Sequence, residues 1–335
     1  MSRKKNVLIG ILNWGLGHAS RMIPVIQLYE RDGWNVTVVS EGRALKFIRQ
    51  ELPQLATIDT QLPELSYHTS GYLWAHLLKL VPRLLSVIHH DRKWLETYIQ
   101  KHSVDLILSD NRYGFRHPAV QSELYTHQLQ LPYPPFYHWF AWPIQYLLMQ
   151  QLNRFNAIRI VDDAQHSMAG HMSVPKGLKV DFSYTGPLSR FEPSNIQEPI
   201  YDICLIPTGL EPLRTRFLNQ VLIFYSKQNK KIAVVGDFQN THSDSNVIYL
   251  GLLTTAAMQE VILKSRLVIS RSGYSTIMDL VQLNVPAVLI PTPGQAEQVY
   301  LAELHGKHRG TFIIRGLGEK FFQSKQEKFG IHNTS

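Results

Sequence analysis

Cysteine is all but missing from this chain: Cys204 is the only one in 335 residues. A lone thiol cannot close an internal disulfide or build a zinc-thiolate centre, so a disulfide-stapled scaffold and a zinc ribbon are both excluded. Long apolar runs are missing too. No stretch reaches the ~18 uninterrupted apolar residues that a spanning helix requires. The basic start Met1-Ser-Arg-Lys-Lys-Asn6 is followed by an apolar run, Val7 to Leu12, too short for the core of a secretion signal. The expectation is a cytoplasmic protein not integral to a membrane. There is no short-period repeat or low-complexity tract, and no Lys/Arg run interleaved with aromatics, which argues against nucleic acid as a partner. Acidic residues are in short supply: 26 Asp and Glu face 34 Lys and Arg, a formal charge of +8 with neutral histidines. That surplus favours anionic partners, phosphate esters or an anionic membrane surface among them.

What is present is a globular composition, 44% hydrophobic and 18% charged, on a chain long enough for two domains. Val7-Leu-Ile-Gly-Ile-Leu12 reads as a buried parallel strand ending in a Gly-rich turn. Apolar residues from Met22 to Tyr29 then fall at helical spacing, Gly33 closes that helix, and Asn35 to Ser40 reads as the next strand. Strand, helix, strand opens a doubly wound sheet, and Asp105 to Ser109 supplies another strand. Residues 187–200, with three prolines from Pro187 to Pro199 and no periodicity, read as a linker between domains at 1–186 and 201–335. Beyond it the alternation restarts: strand Asp202–Ile206, helix Leu213–Tyr225, strand Lys231–Val235, strand Leu267–Ser270, helix Ser275–Leu283, strand Ala287–Ile290. The expected class is α/β, two Rossmann-like halves.

Four segments carry chemistry. In Asn13-Trp-Gly-Leu-Gly-His18, Gly15 and Gly17 let a ligand approach the backbone, and His18 stands at a helix start where it can take a proton from an attacking hydroxyl. The same turn reads as well as a tight turn with a capping histidine. In Ser270-Arg-Ser-Gly-Tyr-Ser-Thr-Ile-Met-Asp279, Ser272 and Gly273 offer donors to a phosphate with Arg271 as a nearby cation. Asp279, about two turns into the helix, can accept both ribose hydroxyls; a Ser cap followed by a solvated Asp is the plainer reading. Ile290-Pro-Thr-Pro-Gly-Gln-Ala-Glu-Gln298 is a loop stiffened by Pro291, Pro293 and Gly294, in which Gln295, Glu297 and Gln298 suit the hydroxyls of a hexose. Ser109-Asp-Asn-Arg-Tyr-Gly114 puts Asp110 on the acceptor side as an alternative base, with Asn111 read as an Asx-turn.

Segments 270–280 and 284–302 together resemble the C-terminal domain of glycosyltransferase family 28, which includes MurG-type N-acetylglucosaminyltransferases and plant galactolipid synthases. The Gly-His element ending at His18 is similar to the glycine-rich first loop of that family. The resemblance implies a GT-B fold with two Rossmann-like domains facing across a cleft. It also implies metal-independent inverting transfer, with a nucleotide-sugar on the second domain and an acceptor on the first. Asp279 then takes the place of a ribose-binding glutamate. Arg271, Ser272 and Gly273 line the nucleotide side, Glu297 and Gln298 meet the sugar, and His18 stands at the reacting centre. Two departures concern the donor: Pro207-Thr-Gly-Leu-Glu-Pro-Leu-Arg214 replaces the usual Gly-Gly-Ser-type turn, leaving Thr208, Gly209 and Arg214 to hold a diphosphate, and Glu297 replaces a glutamine.

The function expected from these readings is transfer of a hexose or N-acetylhexosamine from a UDP-sugar to an acceptor hydroxyl, with no cofactor and no metal. A nucleotide-sugar epimerase and a non-catalytic nucleotide-sugar-binding protein are the alternatives. The aromatic, proline-rich segment from Tyr133 to Met149 adds an expectation of peripheral contact with anionic membrane through Trp139, Phe140 or Trp142. Its plainer reading is first-domain core.

Overall fold

The computed structural model describes residues 3–62, 73–132, 138–209, 211–238, 245–306 and 311–313; the side chains of 73–84, 138–141 and 311–313 lie outside that description. The chain forms two compact units, Met1–Arg190 and Phe191–Ser335.

The first unit is built from β1 (Asn6–Ile11), α1 (Leu16–Arg31), β2 (Asn35–Ser40), α2 (Gly42–Glu51), β3 (Ala56–Asp59), α3 (Leu73–Ile99), β4 (Leu106–Asp110), β5 (Ser122–Thr126), α4 (His138–Leu152), β6 (Ala157–Ile160) and β7 (Asp181–Tyr184). Its seven strands run parallel in the order β3-β2-β1-β4-β5-β6-β7. The central strands are buried on both faces, which is why β1 reads as an unbroken apolar run rather than an alternation. Strand order reverses between β1 and β4, and the crevice beyond the carboxyl ends of these two strands is where open α/β sheets take ligands.

The second unit holds β8 (Tyr201–Ile206), α5 (Leu213–Tyr225), β9 (Ile232–Val234), β10 (Val247–Tyr249), α6 (Thr255–Leu263), β11 (Ser265–Ser270), α7 (Tyr274–Leu283), β12 (Ala287–Leu289), α8 (Ala296–His305) and β13 (Thr311–Ile313). Its sheet is parallel, ordered β10-β9-β8-β11-β12-β13, so its reversal lies between β8 and β11. Phe217, Leu218 and Val221 of α5 close one face over Ile203, Leu205 and Ile269. No regular element lies between Tyr184 and Tyr201, yet that stretch is not loose. Phe191 is buried, Gln259 of α6 donates to Glu192 O, and Gln197 N and Ile200 N donate to the carbonyls of Leu263 and Lys264.

Candidate functional site

In the first unit, β1 and β4 end side by side, with Ile11 opposite Asp110. The chain leaving β1 turns into α1 at Gly15, whose φ of 79° lies in the region open to glycine, and no side chain of its own caps the helix start. Gly17 and His18 therefore fall in the first turn of α1. His18 Nδ1 stands 2.7 Å from Asp110 Oδ2. A carboxylate only accepts, so Nδ1 carries the proton and donates, leaving Nε2 with its lone pair. The imidazole is 17% exposed and the carboxylate 0%.

Asp110, read from the sequence as an alternative base, has both oxygens bonded inside the fold, Oδ2 to His18 and Oδ1 to Arg21, whose Nε donates at 2.8 Å and whose Nη2 also contacts it. Burial alone would push this carboxyl up; Arg21 and then His18 outweigh it and hold it below the ordinary aspartate range. In the structure the buried Asp110 carboxylate holds the imidazole through Nδ1.

Arg21 and His127 belong to the same network and were missed. Arg21 Nη1 donates to His127 Nδ1 at 3.2 Å, and Arg21 Nη2 lies 3.1 Å from His18 Nδ1. Two donors facing each other make no hydrogen bond, so this last approach is the close passage of a charge. The signal that could have found Arg21 is its spacing: it follows His18 by three residues and shares its helix face. Asn111, read as an Asx-turn, sits at φ 53°, a left-handed conformation that asparagine tolerates better than most residues. Arg112 then anchors the turn, pairing with buried Asp91 and Glu41; burial pushes Glu41 up against the pull of Arg112.

In the second unit, β8, β11 and β12 are adjacent, so the turns that follow them share one edge of the sheet. The structure brings Arg271, Ser272 and Gly273 beside the loop that holds Gly294, Gln295, Glu297 and Gln298. Ser272 Oγ donates to Gln298 O at 2.7 Å, and Thr292 N donates to Gln298 Oε1 at 2.8 Å. The Gln298 amide hydrogens take part in neither of these bonds. Gly273 is the N-cap of α7, no side chain of its own caps that start, and Asp279 lies half-buried in the same helix.

Two arginines differ from expectation. Arg271 is 4% exposed; its Nη1 donates to the carbonyls of Pro291 (3.0 Å) and Ile290 (3.3 Å), and its guanidinium lies 4.1 Å from the Phe217 ring centroid. Burial lowers its pKa to about 10. Through Nη1 it braces the 291–298 loop, while its Nε is buried with no hydrogen-bond partner in the structure. Arg214 was expected, with Thr208 and Gly209, to hold a diphosphate at the start of α5. The Glu211 carboxylate already occupies that start, accepting from Arg214 Nε at 2.7 Å and from Thr215 N at 3.2 Å. Thr208 and Gly209 lie half-buried in the turn before it, with Gly209 at φ 109°. An anion at α5 must displace Glu211, whereas the N-cap of α7 is Gly273, which has no side chain to cap that helix.

Residues 205–315 match the glycosyltransferase family 28 C-terminal domain. No curated protein matches the chain in sequence. Among solved structures, the glycotransferase of kitacinnamycin superposes with a TM-score of 0.62 at 13% identity, over 98% of this chain and 91% of its own. The spinosyn rhamnosyltransferase SpnG in complex with thymidine diphosphate gives 0.61 at 13%, over 97% and 89%. Arabidopsis thaliana UGT89C1 in complex with UDP-L-rhamnose gives 0.59 at 14%, over 94% and 85%. The second unit therefore carries a glycosyltransferase family 28 C-terminal domain, on a chain whose two parallel sheets have the GT-B fold.

Proposed function

We propose that this glycosyltransferase moves a hexose or N-acetylhexosamine from a UDP-sugar to an acceptor hydroxyl, with inversion at the anomeric carbon. The observation that carries the reading is the His18–Asp110 pair at the switch point of the first sheet. His18 Nε2 takes the acceptor proton as its oxygen bonds to the anomeric carbon, and the bond from that carbon to the UDP oxygen breaks with its electron pair leaving on UDP. The backbone amides at the start of α7 stabilise the departing diphosphate, Asp279 holds the ribose, and Glu297 with Gln298 holds the sugar. No step in this reading calls on a metal or cofactor. A thermal-shift panel of UDP-, GDP- and TDP-sugars tests the donor: a UDP-sugar should raise Tm most, by mass action on the folded state. Product analysis without acceptor separates transfer from epimerisation.

Asp279→Ala is expected to weaken UDP binding by about 1–3 kcal/mol, the scale of charged hydrogen bonds lost. Calorimetric titration of the folded variant checks this; unchanged affinity removes Asp279 from the ribose.

The acceptor side, on this reading, meets anionic membrane. No helix among the described residues is long and apolar enough to cross one. On α4, however, Trp142 is 68% exposed, Tyr146 52% and Leu147 51%, and the Trp142 and Tyr146 rings stack at 5.8 Å. The side chains of Trp139 and Phe140, named with Trp142 from the sequence, lie outside the described residues, as do residues 133–137. Trp142→Ala should reduce flotation with anionic liposomes, and high salt should reduce it further. Equal flotation of variant and parent would return α4 to a role without lipid.

A further inference from the structure

Three arginines of the first unit gather where no carboxylate among the described residues pairs with them. Arg92 lies in the last third of α3, Arg116 in the chain leading from β4 to β5, and Arg154 in the turn between α4 and β6. Close packing presses these segments together. A Cβ on Gly114 would sit 2.5 Å from Ile88 O, so the chain from β4 lies flat on α3 one turn before Arg92. Arg116 places its guanidinium carbon 5.9 Å from the centroid of the Phe155 ring, next to Arg154, and Tyr113 packs on the cluster of Leu152 and Phe155.

Arg92 Nε and Nη2 and Arg116 Nε are sealed from water with no acceptor. Nearby acids are committed elsewhere: Asp91 to Arg112, Glu96 to His117 Nε2 at 2.9 Å and to Gln100 at 3.2 Å, and Glu123 to Arg159. The exposed His89, His90 and Lys93 of α3 add no negative charge. The cations also feel one another. Burial, followed by repulsion from Arg92 and Arg154, lowers Arg116 to about 10, and burial with repulsion from Arg154 lowers Arg92. Buried guanidinium donors without acceptors oppose folding, and an anion supplying several oxygens would relieve them.

We propose that Arg92, Arg116 and Arg154 form a binding site for a phosphoryl group. A phosphoryl group presents more free oxygens than a carboxylate, which suits several planar guanidinium forks offered from separate segments. The site is distinct from the His18 network: the turn holding Arg154 leads into the amino end of β6, while His18 follows the carboxyl end of β1, and in a parallel sheet these are opposite edges. It does not depend on the transferase reading. The phosphoryl group belongs either to a soluble phosphate ester or to a phospholipid headgroup, the latter brought alongside the exposed face of α4.

Hydrogen exchange of the full chain, with glycerol 3-phosphate in one arm and phosphatidic acid vesicles against phosphatidylcholine vesicles in another, tests the site. Slower exchange over residues 88–99 and 150–156 is expected with at least one phosphoryl probe, and the responding arm names the source. Arg154→Gln, at an exposed position, should weaken the response about tenfold, and Arg116→Met should abolish it. Arg116→Met should also raise Tm in phosphate-free buffer, because a half-buried cation repelled by Arg92 and Arg154, with its Nε sealed without an acceptor, has been removed. Absence of protection with both probes overturns the proposal. So does protection that survives in Arg154→Gln and Arg116→Met alike, or protection that UDP alone reproduces.

Discussion

His18→Ala is expected to lower kcat by about 10²–10⁴-fold, the range lost when a positioned general base is removed, with the Kd for UDP unchanged. The split follows from placement. His18 belongs to the first unit and, in the proposed mechanism, acts on the acceptor proton, whereas the groups assigned to the donor all lie on the second. Steady-state kinetics, alongside UDP titration of the same variant, checks both halves. Asp110→Asn should lower kcat as well, because the amide can rotate its NH₂ toward Nδ1 and favour the tautomer whose Nε2 carries the proton and cannot accept. If Asp110→Ala abolishes turnover while His18→Ala keeps most of it, the orienting and proton-accepting roles must be exchanged.

The parts of this architecture that could be read in the sequence are those where burial alone selects the residues. β1, β2, β8, β11 and β12 are short apolar runs because parallel strands are covered on both faces, and the glycine turns after β1 and β11 mark helix starts. β5 could not be found that way. Its sequence, Ser122-Glu-Leu-Tyr-Thr126, is polar but wholly buried, because Arg159 Nε and Nη2 hold Glu123 at 2.6 and 2.8 Å and Asn156 accepts from Ser122 N. Such a strand is specified by partners on neighbouring elements, which no local pattern records. Arg21 hid for the same reason. On α1 it reads as a solvated charge, and only Asp110, 89 positions away, makes its burial affordable. Arg271 shows the converse: beside a glycine turn at a helix start an arginine suggests a ligand, and no local pattern records that Phe217 and the Pro291 carbonyl also hold it. Residue type and spacing located the loops; the direction of each charge came from tertiary contacts.

The second large effect is on stability. Arg21→Met should cost about 3–5 kcal/mol at neutral pH, the penalty for leaving a buried charge without its main partner. Packing loss alone would also destabilise, so the pH dependence is the discriminating measurement. In the parent protein the Asp110 carboxyl is held below its unfolded value near 3.9. Its contribution to stability is therefore complete above that value and lost as pH falls through the lower, folded one. Without Arg21, burial is opposed mainly by His18, and the carboxyl rises toward or past its unfolded value. The variant then gains, relative to the parent, as Asp110 binds a proton. Denaturant unfolding at pH 7 and near pH 4 should show the gap between parent and Arg21→Met narrowing on acidification. Asp110→Asn in the Arg21→Met background should recover part of the loss at pH 7, because no uncompensated carboxylate remains; a double-mutant cycle isolates that coupling. A gap that stays constant with pH, with no recovery in the double variant, would mean that Arg21 serves packing only, and that the charge on Asp110 is held by His18 without it.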